Sequence, residues 1–291
     1  MVDLIPLVLS VGLAGVLVRP ALRDFSAHGW TRSNWRGREL PFPAGAIAIG
    51  ISLIAIGPLA ALDELAGWDV VFPAALALAL GVGFLGLLDD LLDAPARGMR
   101  GHARAVLRGG FSTGALKAAG TLALALAVLA GGGRSAVEYG VAVAVVVLCT
   151  NVFNLLDLRP GRAAKAFVLL GLALLAGTRE LEPLRQLGVF IGPLLVLGVF
   201  DLRERAMLGD VGSNLLGALA GLWIVSALDV AGQAAALAAL IVITAYGELK
   251  SISRGIEAFG PLRALDRLGR IPEPARAAQA GDHTPQRATG S

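Results

Sequence analysis

Residues 70–90 read VVFPAALALALGVGFLGLLDD, an apolar run of 19 residues that ends in two aspartates. A helix needs roughly 17 to 25 predominantly apolar residues to cross the hydrocarbon core of a bilayer. This run is therefore predicted to span a membrane and to place its acidic pair at one interface. The whole chain shares its character, because 56% of the 291 residues are hydrophobic and only 16% are charged. Such a composition does not suit a single water-soluble core.

Nine apolar runs of this kind follow one another along the chain. They lie near residues 2–19, 44–62, 70–88, 114–130, 137–153, 160–177, 187–200, 211–228 and 231–247. The pattern predicts an all-α, polytopic transmembrane bundle of about nine to ten spans. The run at 187–200 is short, and the run at 160–177 needs Pro160 as its first helical residue. These two are the candidates for a tilted, broken or re-entrant helix.

The loops between the runs differ in charge. Of the 25 Lys and Arg residues, 22 lie in one alternating set of loops, at 19–43, 89–117, 154–165, 201–209 and 248–291. Short loops rich in Lys and Arg stay on the cytoplasmic side. Nine spans then put the N-terminus outside and the C-terminus in the cytoplasm. Basic loops beside anionic lipid also explain the net charge of +3, so we expect no nucleic-acid partner.

The chain divides into three predicted parts. Residues 1–250 form one transmembrane domain. In residues 251–271, apolar side chains recur every three or four positions among Lys and Arg, which predicts an amphipathic segment on the inner membrane face, broken at Gly260 and Pro261. Residues 272–291 are rich in Ala, Pro, Gln and Gly and are predicted to be a disordered tail.

Acidic side chains gather at the span ends on the basic side. They are Asp89, Asp90, Asp93, Asp157, Asp201 and Asp210. One such acid can serve as a helix cap, and Asp210 is placed to cap the eighth run. Adjacent carboxylates, however, repel unless a cation or a proton lies between them. A cluster of carboxylates with few histidines favours Mg²⁺, or Mn²⁺, over zinc.

Basic side chains in the same loops are suited to phosphate. They are Arg97, Arg100, Arg104, Arg108, Lys117, Arg159, Arg162 and Lys165. Acidic side chains, a bound metal ion and basic side chains together at a membrane interface suit phosphoryl transfer between a nucleotide and a lipid phosphate. A transporter would also carry acids in the membrane, but it predicts ionisable residues near the midplane, where these spans are nearly free of them.

Three segments in order carry a resemblance. They are the Asp-Asp pair at 89–90, NVFNLLD at 151–157 and LGDVGSN at 208–214. Together they resemble the polyprenyl-phosphate N-acetylhexosamine-1-phosphate transferases, glycosyltransferase family 4, whose members include phospho-N-acetylmuramoyl-pentapeptide translocase. The resemblance covers about residues 1–250, since the loop at 23–43 also looks like the first inner loop of that family.

The resemblance implies transfer of a sugar 1-phosphate from a UDP-sugar to polyprenyl phosphate, with release of UMP, in envelope polysaccharide synthesis at a bacterial inner membrane. It implies Asp89, Asp90, Asp157 and Asp210 as catalytic residues, and Mg²⁺ bound by Asp210 and Asp90. The expected substrate-binding residues are Asn151, Asn154, Arg100, His102, Arg104, Lys117, Arg159, Arg162, Ser213 and Asn214. A homodimer is also among the expected partners.

The sequence departs from the family pattern at three places. The family usually reads Asp-Gly-x-Asp-Gly-Leu-Ala where this chain has DLRPGRA, so Pro160 replaces the second acid. Residues 248–270 lack the histidines of the muramoyl-pentapeptide enzymes, and a tenth span is missing. The departures argue against the peptidoglycan translocase itself. They leave a divergent transferase with another donor, or an inactive relative that binds polyprenyl phosphate or a partner in envelope synthesis.

Overall fold

A computed structural model of the chain describes residues 2–67, 73–92 and 112–272. After a short 3₁₀ turn at Val2–Leu4, the helices are α1 Ile5–Ala27, α2 Gly45–Ala66, α3 Pro73–Leu92, α4 Thr113–Leu129, α5 Ala136–Leu156, α6 Arg162–Thr178, α7 Glu182–Leu202, α8 Gly209–Ala227, α9 Val230–Leu249, α10 Ile252–Ala258 and α11 Gly260–Arg267. Strands β1 (Thr31–Ser33) and β2 (Glu39–Pro41) form an antiparallel hairpin between α1 and α2.

Each of the nine predicted runs coincides with one of the helices α1 to α9. Seven of these, α1, α2, α3, α5, α7, α8 and α9, are long and apolar enough to cross a membrane. Helix α4 is apolar but has 17 residues, and α6, also of 17 residues, opens with Arg162 and Lys165. The chain is thus an all-α polytopic bundle, whereas the number of spans and the side on which each terminus lies stay predictions.

Two predicted helix boundaries were wrong. Pro160 is not helical, because α6 begins at Arg162 after Gly161, whose φ of +71° lies in the left-handed region. A Cβ at Gly161 would come within 2.5 Å of the Leu202 side chain, so the turn requires glycine. The seventh helix is not short, since α7 has 21 residues and continues through Pro193.

Helix α8 forms the centre of the bundle. Most of its length is buried, and it packs closely on α5 and α3. A Cβ at Gly217 would lie 2.6 Å from the Thr150 Cα, and one at Gly86 would lie 2.7 Å from the Asp210 carbonyl oxygen. Small residues therefore bring the backbones together. The close approach at Gly86 places the acidic end of α3 beside the first turn of α8.

The C-terminal helices α10 and α11 meet at Phe259, one residue before the predicted break. The Arg162 guanidinium holds α11 by donating from Nε to Asp266 Oδ1 at 2.8 Å and from Nη2 to Oδ2 at 3.2 Å. Lys165 donates to backbone carbonyls at the C-terminal end of α11. Residues 273–291 of the predicted tail lie outside the described part of the chain.

Candidate functional site

Four helices bring polar side chains to one end of the bundle, which we call the acidic end. Lys117 of α4 donates from Nζ to Asp89 Oδ2 of α3 at 2.7 Å and also to Asp210 Oδ2 of α8. The Asn154 amide of α5, oriented with its nitrogen toward Asp210, lies 3.0 Å from Asp210 Oδ1 and presents its oxygen to Lys117 Nζ at 3.1 Å. Residues from all three sequence segments therefore meet around one ammonium group.

The other predicted amide and hydroxyl residues lie at different distances from this cluster. Ser213 Oγ is 3.4 Å from the Asn154 amide and belongs to the cluster. Asn151 faces α9 instead, where its Nδ2 is 3.5 Å from the Thr244 hydroxyl oxygen. Asn214 is buried, and its amide atoms have no hydrogen-bond partner among the described residues.

Asp90 has a structural role that the sequence did not predict. Its Oδ1 accepts from the Asp210 backbone N–H at 3.0 Å, and its Oδ2 accepts from that of Val211 at 3.1 Å. These are N–H groups of the first turn of α8, which have no partners within the helix. The prediction that Asp210 caps α8 was wrong, because Asp210 lies inside the first turn and Leu208, at the cap position, makes no side-chain cap.

Asp201, which we did not assign to the site, plays a similar part. Its Oδ2 accepts from the Gly161 backbone N–H at 2.6 Å and so fixes the turn between α5 and α6. Like Asp90, it is almost fully buried. Its position at the end of an apolar run was the signal in the sequence, but only the fold shows which amide it holds.

A cavity of about 290 Å³ opens next to the acid cluster. It lies between the β1–β2 hairpin, the turn at 157–160 and the residues that lead into α8. Its lining includes Asp90, Asp157 and Asp210 as well as Arg32 and Trp35 from the hairpin. The two hairpin residues were missed, although a basic and an aromatic residue in one inner loop were a usable signal.

The Asp157 carboxylate differs from the other acids lining this cavity. It makes no hydrogen bond or ion pair with any described residue. Burial, and after it the negative charge of Asp201, raises the pKa of Asp157 well above its ordinary value. Asp157 can therefore hold or release a proton at a pH where an exposed aspartate is always ionised.

The predicted arginines separate into three groups. Arg159 lines the cavity, with its Cζ 4.1 Å from the centre of the Trp35 ring. Arg162 does not face it, because its buried guanidinium is committed to Asp266 and to the Ser253 hydroxyl. These contacts favour a structural role for Arg162 over the predicted contact with substrate. Arg100, His102 and Arg104 lie outside the described residues.

The described part of the chain contains no group of three His, Cys, Asp or Glu residues placed to hold a metal ion. Asp90 fits the predicted role of metal ligand less well, because each of its carboxylate oxygens already accepts a backbone N–H group. Asp210 fits better, since carboxylate and amide oxygens already converge there on a cation, the Lys117 ammonium. Mg²⁺ is commonly held by one or two carboxylates plus substrate phosphates.

Comparison of the chain with protein-family models and with curated proteins gives no match.

Proposed function

We propose that the chain is a phosphoglycosyl transferase that moves a sugar 1-phosphate from a UDP-sugar to polyprenyl phosphate at the cytoplasmic membrane face, releasing UMP, in envelope polysaccharide synthesis. The observation that supports this most is the meeting of Asp89, Asn154 and Asp210 around Lys117. The three segments that carry the family resemblance are separated by dozens of residues. Structural caps alone would not require them to share one point.

In the proposed reaction an oxygen of the lipid phosphate attacks the phosphorus that carries the sugar. The bond from that phosphorus to the oxygen bridging to UMP breaks, and UMP leaves with the electron pair. Lys117, anchored between two acids, is placed to neutralise charge on the phosphates. Mg²⁺ held by Asp210 would neutralise charge on the donor diphosphate.

Asp157 is the residue we propose as the proton acceptor for a protonated lipid phosphate. Its carboxylate lines the cavity, has no hydrogen-bond partner among the described residues and has a pKa raised by burial, so it binds a proton more readily than an exposed aspartate, as a general base requires. Asp90 is less suited to this role, because each of its carboxylate oxygens already accepts a backbone hydrogen bond. Its proposed function is to position Asp210 by holding the first turn of α8.

A second candidate function is binding of polyprenyl phosphate without turnover. The observation that favours it is the ion-pair arrangement itself, because Lys117 already pairs with both Asp89 and Asp210 without a metal. Pro160, where the family has an acid, points the same way.

One experiment separates the two candidates. Protein purified in detergent is incubated with undecaprenyl phosphate, Mg²⁺ and a panel of UDP-sugars, while UMP and the lipid-linked product are followed. Release that requires both lipid and Mg²⁺, and that is lost in Asp210→Asn, supports the transferase and names its donor. Saturable lipid binding with no UMP from any donor supports the binding protein instead.

A further inference from the structure

A second pocket of about 400 Å³ lies next to the acid cavity and has the opposite charge. We call it the arginine pocket. Its charged lining residues are Arg36, Arg159, Arg263, Arg267, Arg270, Glu257 and Asp266. They come from the hairpin, the turn at 157–160 and the C-terminal helices. Arg159 lines both pockets, so the two are neighbours that share this side chain.

Asp266 and Arg270 of this lining already neutralise each other, and the remaining arginines outnumber Glu257, the other acid. Asp266 is paired with Arg162 and with Arg270, whose Nη1 lies 2.7 Å from Asp266 Oδ2. These cations lower the pKa of Asp266 even though burial acts in the opposite direction. Asp266 therefore stays ionised inside its own pairs and is not needed as a counter-ion for Arg159, Arg263 or Arg267.

The hairpin side of the pocket is held rigidly. Arg36 Nε lies 3.1 Å from Oε1 of Glu204, which is fully buried, and Asn34 Nδ2 donates to Glu204 Oε2 at 3.2 Å. Arg36 also donates to the Ile271 carbonyl oxygen at 2.9 Å. Trp35 lies against both Arg36 and Arg159, with Cζ-to-ring distances of 4.6 and 4.1 Å. The guanidinium groups of Arg36 and Arg159 are thus held in place without a ligand.

Arg159 presents a donor that lacks an acceptor. Its Nη1, like Arg36 Nε, is buried and has no hydrogen-bond partner among the described residues, but Arg36 lies in an ion pair with Glu204. A buried donor without an acceptor costs free energy. An anionic ligand supplies that acceptor, and guanidinium forks match the oxygens of phosphate.

We propose that the arginine pocket binds a phosphate group, at a site separate from the acid cavity. This proposal does not rest on the transferase activity. The phosphate belongs either to a soluble molecule or to a phospholipid head group. A head group is one of the two because the exposed apolar side chains of Phe259 and Leu262, which could contact a membrane surface, lie on the same C-terminal segment as Arg263.

The test uses the intact protein in neutral detergent with EDTA, so that a metal-dependent acid cavity stays silent. Inorganic pyrophosphate is added while Trp35 fluorescence is followed, and Trp35→Phe identifies the signal. We expect a saturable change in the wild type. In the double variant Arg263→Gln/Arg267→Gln, whose altered side chains are exposed in the folded chain, affinity should fall at least about 10-fold, which is about 1.4 kcal/mol. Arg203→Gln, an exposed arginine outside the pocket, is the matched control and should bind normally.

A second arm places the protein in phosphatidylcholine nanodiscs with and without phosphatidylglycerol. A response to pyrophosphate in detergent assigns a soluble phosphate. A response to phosphatidylglycerol alone, lost in the double variant, assigns a lipid head group. No response in either arm, or one that survives the double variant, overturns the proposal. Loss of the response in Asp210→Asn would also overturn it, because the phosphate would then lie in the acid cavity.

Discussion

The Asp90 carboxylate accepts a hydrogen bond of 3.0 Å from the Asp210 backbone N–H. Asp90 therefore orients the first turn of α8, the helix that carries the Asp210 side chain. Its neighbour Asp89 faces Lys117 instead. Adjacent residues on a helix point about 100° apart, which lets one carboxylate hold backbone while the other joins the polar cluster.

This division predicts that the two acids contribute unequally to stability. Asp90→Ala leaves two buried N–H groups of α8 without an acceptor, and we expect a loss of about 1–3 kcal/mol in the free energy of unfolding. Asp89→Ala leaves Lys117 paired with Asp210 and should cost much less. Thermal unfolding in detergent measures both. Equal melting temperatures for the two variants would contradict the capping role of Asp90.

Asp210→Asn should reduce UMP release at least about 100-fold, because the group proposed to hold Mg²⁺ and to anchor Lys117 is lost. Elution from a size-exclusion column should stay that of the wild type. Asp63→Asn, at the opposite end of α2 from the acidic end, is the control and should retain full activity. Turnover that survives Asp210→Asn would remove this residue from the reaction.

Lys117→Met removes the cation between two carboxylates. Without divalent ions Asp89 and Asp210 then repel each other, and we expect a lower melting temperature than that of the wild type. Millimolar Mg²⁺ should recover part of the loss, since the same oxygens then have a cation to bind. Melting curves in EDTA and in Mg²⁺ test this. If Mg²⁺ stabilises Lys117→Met no more than the wild type, the acids do not form a cation site.

The raised pKa of Asp157 predicts that this residue lowers stability at neutral pH while it supports activity. In the folded chain this carboxyl keeps its proton to a higher pH than in the unfolded chain. The folded state therefore loses stability as the pH rises above the ordinary value of 3.8 through the raised pKa. Asp157→Asn should melt above the wild type at pH 7.5, with the difference shrinking toward pH 4.

The same variant should lose UMP release at every pH. In the wild type, release should rise with pH as Asp157 gives up its proton. A variant that is neither more stable at pH 7.5 nor less active would contradict both parts of this assignment.

Arg162→Ala leaves the buried Asp266 without one of its cations and should loosen α10 and α11 from the bundle, since breaking a buried ion pair commonly costs about 3–5 kcal/mol. Limited trypsin digestion at Arg263 and Arg267 should become faster, whereas Arg254→Ala, an exposed residue of α10, should leave the rate unchanged. Lowering the pH should have the same effect as the variant, because the pKa of Asp266 is lowered in the folded chain. The stabilising charge of Asp266 is complete above about pH 4 and is lost as the pH falls through that lowered pKa.

The sequence by itself determined that the chain is a helical membrane bundle, because apolar runs of spanning length are a local property that no distant contact has to supply. It also predicted which end of each helix carries the acids. Asp89, Asn154, Lys117 and Asp210 could be selected from the sequence, since ionisable and amide side chains are conspicuous against apolar spans.

Only the tertiary structure decided the partner of each of these side chains. Asp90 and Asp89 are alike in sequence, yet one caps a distant helix and the other meets a lysine. Arg159 and Arg162 lie three residues apart, yet one lines the cavity and the other holds Asp266. The arginine pocket joins segments more than 200 residues apart in the chain. Hydrogen bonds and ion pairs depend on distances and angles between helices, and those are set by the close packing of α8 against α3 and α5.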